Sequence, residues 1–311
     1  MPVQDRHLMN HAESGKGQGG PDTPAGHSAF CHRWLSDFAY ALLNPLRLER
    51  EEWEDLPVTR LAPLGLKEQA EFMPLLLSFN DLTARQRAIL LGRIEAREQQ
   101  GDSYLCGLLN SDAENSVVGA HLSRLLVMAR QDNGQRYLLR YYDPRVMRHL
   151  QWLLSDKQHV EFFGPISVWS WPASSGWITG RRLAEYSPGQ RLVLHPHQWA
   201  TLERLALINR ALTELEILAP DLSQNDALFQ RLDAALVQAS TELALTDSED
   251  CLFCAIQSVR FHPQIHHHPQ LLERLGQAAT KRASYAAACA DLDDSAWLSM
   301  ADELNSRVPT A

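Results

Sequence analysis

The stretch RYLLRYYDPRVMRHL, residues 136–150, changes its periodicity in the middle. Arg136 to Tyr142 is apolar and aromatic and reads as a strand, whereas Val146, Met147 and Leu150 stand at helical spacing. Asp143-Pro144-Arg145 form the joint. An aspartate just ahead of a helix caps its free N–H groups, and proline suits the first helical position, where no N–H is needed. Arg145 fits less easily: a cation in the first turn opposes the helix dipole and asks for a carboxylate partner, internal or external. The corner can be a capped turn, a catalytic elbow or part of a surface that another protein reads.

Working outward, DFAYALL (37–43), MPLLLSF (73–79) and YLCGLL (104–109) are short apolar runs bounded by turn residues and read as strands. Residues 83–101 read as a helix ending at Gly101, and residues 116–129 as another with Ser116 as its N-cap. Asp132-Asn133-Gly134 is a tight turn leading into the 136–142 strand. FFGPISVWSWP (162–172) and SGWITGRRL (175–183) predict two further short strands. From Pro196 the pattern is helical: Leu228, Leu232, Ala235, Leu236, Ala239 and Leu243 make one stripe, and Leu271, Leu275, Ala278, Arg282, Tyr285 and Cys289 nearly another. The expected fold class is α+β, with an N-terminal mixed α/β lobe built on a short-stranded sheet and an all-helical C-terminal lobe. The expected divisions are a disordered tail over 1–28, a mixed lobe over 29–187 and an acidic helical lobe over 188–311, with Ser187-Pro188-Gly189-Gln190 at the boundary. Parallel and antiparallel pairings both fit the short connections.

The 311 residues carry a formal net charge of −9, which argues against nucleic acid as a partner. Residues 1–200 hold 21 Lys and Arg against 22 Asp and Glu, whereas residues 201–311 hold 8 against 16. Such an acidic lobe steers basic partners and repels acidic ones. Five cysteines, an odd number and mostly in apolar runs, fit buried thiols in a reducing compartment. The N-terminus has no apolar core for a signal peptide, and no run approaches the roughly 20 apolar residues of a membrane span. The expected location is the cytoplasm, with no membrane partner.

Gly15 to Gly20 spells G-x-G-x-x-G, but no strand precedes it and Pro21 follows, so the dinucleotide context is missing. There is no G-x-S-x-G elbow, H-E-x-x-H pair or Walker loop, and the expectation is no catalytic residue and no cofactor. Cys251-x-x-Cys254 with His262 and His266 is a possible zinc ligand set. Residues 251–261 also read as a helix with Leu252, Ile256 and Val259 on its core face, so the expectation is a metal-free cluster. His266-His267-His268 reads as an exposed loop leading into the last long helix.

In order along the chain stand FAYALLNP, MPLLLSF, VVGAHLSRLLVM, YLLRYYDPRVM and FFGPISVW. In this series the chain resembles a bacterial adaptor-chaperone family of type VI secretion. The hallmark is an aromatic strand running into Asp-Pro-Arg, here Tyr141-Tyr142-Asp143-Pro144-Arg145, followed by a Phe-Gly-Pro turn, here Phe163-Gly164-Pro165. The resemblance covers roughly residues 34–171. It implies a non-enzymatic protein that binds the recruitment segment of a toxic effector in the cytoplasm and delivers the effector to the VgrG spike. Asp143, Pro144, Gly164 and Pro165 are then the structural motif. Arg140, Tyr142, Arg145, Arg148, Trp169 and Trp171 are the expected partner-binding residues, being of the types that dominate interface hot spots. Two other classes stay open: an enzyme using Asp143 and Arg145 as acid–base or anion-binding groups, and a zinc-dependent module on the cysteine–histidine cluster.

Overall fold

The computed structural model describes residues 33–306 except 64, 175 and 281–283. The tail expected over 1–28, the glycine motif at 15–20, Cys31 and Arg282 lie outside the described residues.

Eight strands are present among them: β1 Tyr40–Leu43, β2 Val58–Arg60, β3 Leu75–Ser78, β4 Gly107–Asn110, β5 Val127–Ala129, β6 Arg136–Leu138, β7 Val168–Ala173 and β8 Gly176–Arg181. Six of them form one sheet in the order β2-β3-β1-β4-β7-β8, and every pairing is antiparallel. Register explains why these strands are apolar without alternation. Tyr40 lies opposite Ser78 and Leu109, and Leu42 opposite Leu76 and Gly107. Tyr40, Leu42, Leu76, Leu109, Trp169 and Trp171 enter one core, while Ala41, Leu43, Leu75, Leu77 and Leu108 enter another. Both faces are buried, so both sets of side chains must be hydrophobic.

Helices α1 (Trp34–Asp37) and α2 (Ala84–Gln99) supply the second core, α2 through Leu90 and Ile94. Helices α3 (Asn115–Leu125), α4 (Pro144–Leu153) and α5 (Asp156–Phe163) supply the first. The α+β class holds, with the sheet between two helical layers.

Three boundaries differ from the sequence reading. The segment 116–129 is not one helix: it stops at Leu125, begins after Glu114 rather than Ser116, and Val127–Ala129 pairs with Arg136–Leu138. The expected strand over 136–142 ends at Leu138 and forms only this hairpin, because Leu139, Tyr141 and Tyr142 turn inward and are buried. Phe162 and Phe163 close α5 instead of opening a strand, which starts at Val168. Asp132-Asn133-Gly134 does turn the hairpin, with Gly134 at φ 66°.

The C-terminal region is helical: α6 Pro196–Leu218, α7 Asp226–Thr241, α8 Ser248–Arg260, α9 Pro269–Ala279, α10 Tyr285–Ala288 and α11 Asp294–Ser306. Leu228 to Ala239 of the first stripe lie buried on α7, but Leu243 lies past its end. The second stripe is broken between α9 and α10. Leu192, Leu194 and Trp199 belong to the core under the sheet, whereas Leu205 to Leu215 belong to the helical core. The seam between cores therefore passes through α6, beyond the boundary drawn at 187/188.

A buried amide pair secures α6 to the sheet side. Gln158 and Gln198 are each the third residue of their helix and accept from the capping residue's N–H, Ser155 and His195. Their amides also bond each other at 2.8 Å, and the second N–H groups reach Val193 O and Leu153 O. Among the described residues no helix is long and apolar enough to cross a membrane.

Candidate functional site: the Asp-Pro-Arg corner and the lobe junction

Asp143 caps α4 as its position suggests: its Oδ1 accepts from the Arg145 N–H at 3.0 Å, and Pro144 takes the first helical position. The same carboxylate grips the Arg145 side chain, with Nε 3.1 Å from Oδ1 and Nη2 2.9 Å from Oδ2. The partner that Arg145 asked for is thus internal, two residues back. Arg140 Nη2 stands 3.8 Å from Asp143 Oδ2, and its guanidinium lies over the Tyr142 ring at 5.9 Å. Burial alone would raise the pKa of Asp143, but hydrogen bonds and charge from Arg145 outweigh it and hold the carboxyl below its ordinary value.

One turn along, Arg148 and His149 face the helical lobe. His149 is fully buried, and its Nδ1 accepts the indole N–H of Trp152 at 3.1 Å. Nε2 therefore carries the proton and donates it to Asn209 Oδ1 on α6, also at 3.1 Å. That oxygen accepts from Arg148 Nη2 as well, while Asn209 Nδ2 reaches Arg145 O at 3.3 Å. Arg148 also lies over the Phe229 ring of α7 at 5.5 Å. Burial lowers the pKa of Arg148 and of His149, the latter to about 4 with Arg148 adding to the effect. Arg148, expected to bind a partner, is engaged by the molecule's own second lobe.

Tyr142, Trp169 and Trp171 are 2%, 1% and 1% exposed, so their rings are core and not surface anchors. Trp169 stacks on Phe162 at 5.2 Å and packs edge-on to Tyr141 at 5.7 Å. A Cβ at Gly107 would come 2.9 Å from the Trp169 indole nitrogen, so this ring is accommodated by a glycine in β4. Gly164 fills a stricter role. It ends α5 at φ 56°, ψ −123°, and a Cβ there would lie 2.2 Å from the His121 ring. His121 is itself pinned by Phe162 O, 2.9 Å from its Nε2.

The cysteine–histidine cluster is packed, not open. Cys251, Cys254 and His266 are buried. His266 Nε2 lies 2.8 Å from Cys254 O and its Nδ1 2.6 Å from the Tyr285 hydroxyl, which accounts for both ring nitrogens. Burial pushes the Cys254 thiol well up and lowers His266 to about 4. Among the described residues no group of three or more His, Cys, Asp and Glu is arranged to hold a metal. The expected exposed His266-His267-His268 loop is a correction: only His267 is exposed, and His268 Nε2 stands 3.2 Å from Glu303 Oε2.

Polar residues that the sequence reading passed over do much of the joining. Asn209, Gln224, Gln158 and Gln198 sit on or beside helices with no motif; only the glutamines three places after Ser155 and His195 left a capping signal.

The fold around the corner is thus an antiparallel sheet between helices, carrying a capped, arginine-flanked turn at its junction with a helical lobe. Residues 39–160 match the model of a family described as a domain of unknown function, DUF4123, a family associated with type VI secretion. The match includes β1 through β6 and the whole Asp-Pro-Arg corner, and it stops short of Gly164, Trp169 and Trp171. No curated protein and no solved structure matches the chain.

Proposed function

We propose that the chain is a cytoplasmic adaptor-chaperone of type VI secretion. It binds the recruitment segment of a toxic effector and loads that effector onto the VgrG spike, without catalysing a reaction. The observation that carries this reading is the family match over residues 39–160, which takes in the corner and four of the six strands of the sheet. The chemistry of the corner supports it. Both oxygens of Asp143 are occupied by Arg145 and the residue is 8% exposed, so it makes a poor general base but a rigid support. Arg145, with 70% of its side chain exposed, is presented outward.

Affinity capture of the full chain from its native host tests the reading. The expected result is that one effector and VgrG co-purify, and that deleting the adaptor gene stops delivery of that effector while the secretion machinery still fires. Continued delivery in the deletion strain would overturn it. A turnover assay giving activity that disappears in Asp143→Asn while the fold remains would favour the enzymatic alternative.

A further inference from the structure

Arg140 and Arg145 stand around the carboxylate of Asp143, and Arg148 lies near by, under the charge of both Glu216 and Asp143. Arg145 and Arg140 approach the same oxygen, Asp143 Oδ2, at 2.9 and 3.8 Å. Arg148 has no carboxylate within ion-pairing distance among the described residues; it meets the amide oxygens of Asn209 and Gln224. The result is a local excess of positive charge in a chain whose formal net charge is −9.

Two of the three face outward, with 70% of the Arg145 side chain and 45% of the Arg140 side chain exposed. Each is held from behind, Arg145 by a two-pronged grip on Asp143 and Arg140 by the Tyr142 ring. A guanidinium gripped along one edge still offers N–H groups along its free edges, in a fork that suits a carboxylate. Holding it beforehand also reduces the side-chain entropy lost on binding.

We infer that Arg140 and Arg145 form a docking point for an acidic segment of a protein partner, with a carboxylate side chain bridging the two guanidinium groups. The inference rests on the adaptor reading only in requiring that a protein partner exists. Charge selects the occupant. The 201–311 region, with 8 basic against 16 acidic residues, repels an acidic segment and confines its attraction to the corner. A nucleic acid fits less well, because its regular run of phosphates needs a basic face wider than two arginines.

The test uses the full chain and a blocked pentapeptide in which glutamate alternates with glycine, beside the same peptide with glutamine. Binding is followed through the Nε–Hε resonances of Arg140 and Arg145. The glutamate peptide is expected to shift both, to weaken about tenfold on Arg140→Ala or Arg145→Ala, and to fade with salt. Arg145→Lys, which keeps the charge without the fork, serves as a second variant and should also weaken binding. Equal shifts with the glutamine peptide, indifference to the substitutions in folded protein, or tighter binding of a single-stranded oligonucleotide at the same arginines would each overturn the inference. Effector capture at full yield by the doubly substituted chain would remove the docking point and leave the adaptor standing. Absence of effector on the unaltered chain would remove the adaptor reading without touching the peptide result.

Discussion

Gly164 shows how closely single positions are constrained. Its backbone lies at φ 56°, ψ −123°, and the His121 ring occupies the space where a Cβ would project. Gly164→Ala therefore meets both backbone strain, of order 1–3 kcal/mol, and a clash. The expected outcome is a clear fall in melting temperature, of which His121→Ala recovers only the steric part. Full recovery in the double variant would place the whole cost in the clash. Asp143→Ala removes the α4 cap and should cost about 1 kcal/mol in chemical denaturation. His121, His149 and His266 are each lowered by burial to about 4 from an ordinary value of 6.5. The folded chain holds them neutral while the unfolded chain takes up protons. Their contribution to stability is complete above about pH 6.5 and is lost progressively as pH falls towards 4. Urea midpoints measured across that window should fall with acidity, and His149→Phe should flatten the slope; a midpoint independent of pH would contradict this.

At the scale of elements, α4 meets α6 of the second lobe at one polar side chain, Asn209, beside its contact with Phe229 of α7. Asn209 accepts from Arg148 and His149 and donates to Arg145 O. Asn209→Ala strips the acceptor from two buried or half-buried donors, a loss of roughly 1–3 kcal/mol. Hydrogen exchange should show faster opening at α4 and α6 than at the sheet, with the melting temperature lowered. Unchanged protection there would mean that the Gln158–Gln198 clasp and the Phe229 contact hold the junction without it.

At the scale of the whole molecule, three hydrophobic cores are found among the described residues, and α6 serves two of them. Ending the chain at Ser187 would remove Leu192, Leu194 and Trp199 from the core beneath the sheet. A division at Ser187-Pro188-Gly189-Gln190 would make residues 29–187 a lobe that folds by itself. The packing predicts instead that this fragment is poorly soluble, whereas a chain ending after Leu202, which keeps the first turns of α6, is better folded. Soluble yield and near-ultraviolet dichroism would distinguish them. Equal behaviour of the two fragments would return the boundary to 187.

Local rules account for the elements that were legible. The runs 40–43, 75–78 and 107–110 are apolar throughout because both faces of the sheet are covered, and Asp143-Pro144 caps a helix wherever that helix packs. The helical stripe on α7 needed only its own periodicity. Other features depend on residues far away in sequence. Whether Arg145 or Arg148 faces solvent is settled by Asn209 and Phe229, more than sixty residues downstream. His266 reads as a potential ligand until the Cys254 carbonyl and the Tyr285 hydroxyl take its nitrogens. Trp169 and Trp171 have the composition of an interface, and only the covering helices turn them into core. The chain sequence carried the propensities and the caps, which act over a few residues. Exposure, pairing and charge balance arise from contacts between distant segments, and the tertiary structure alone assigns them.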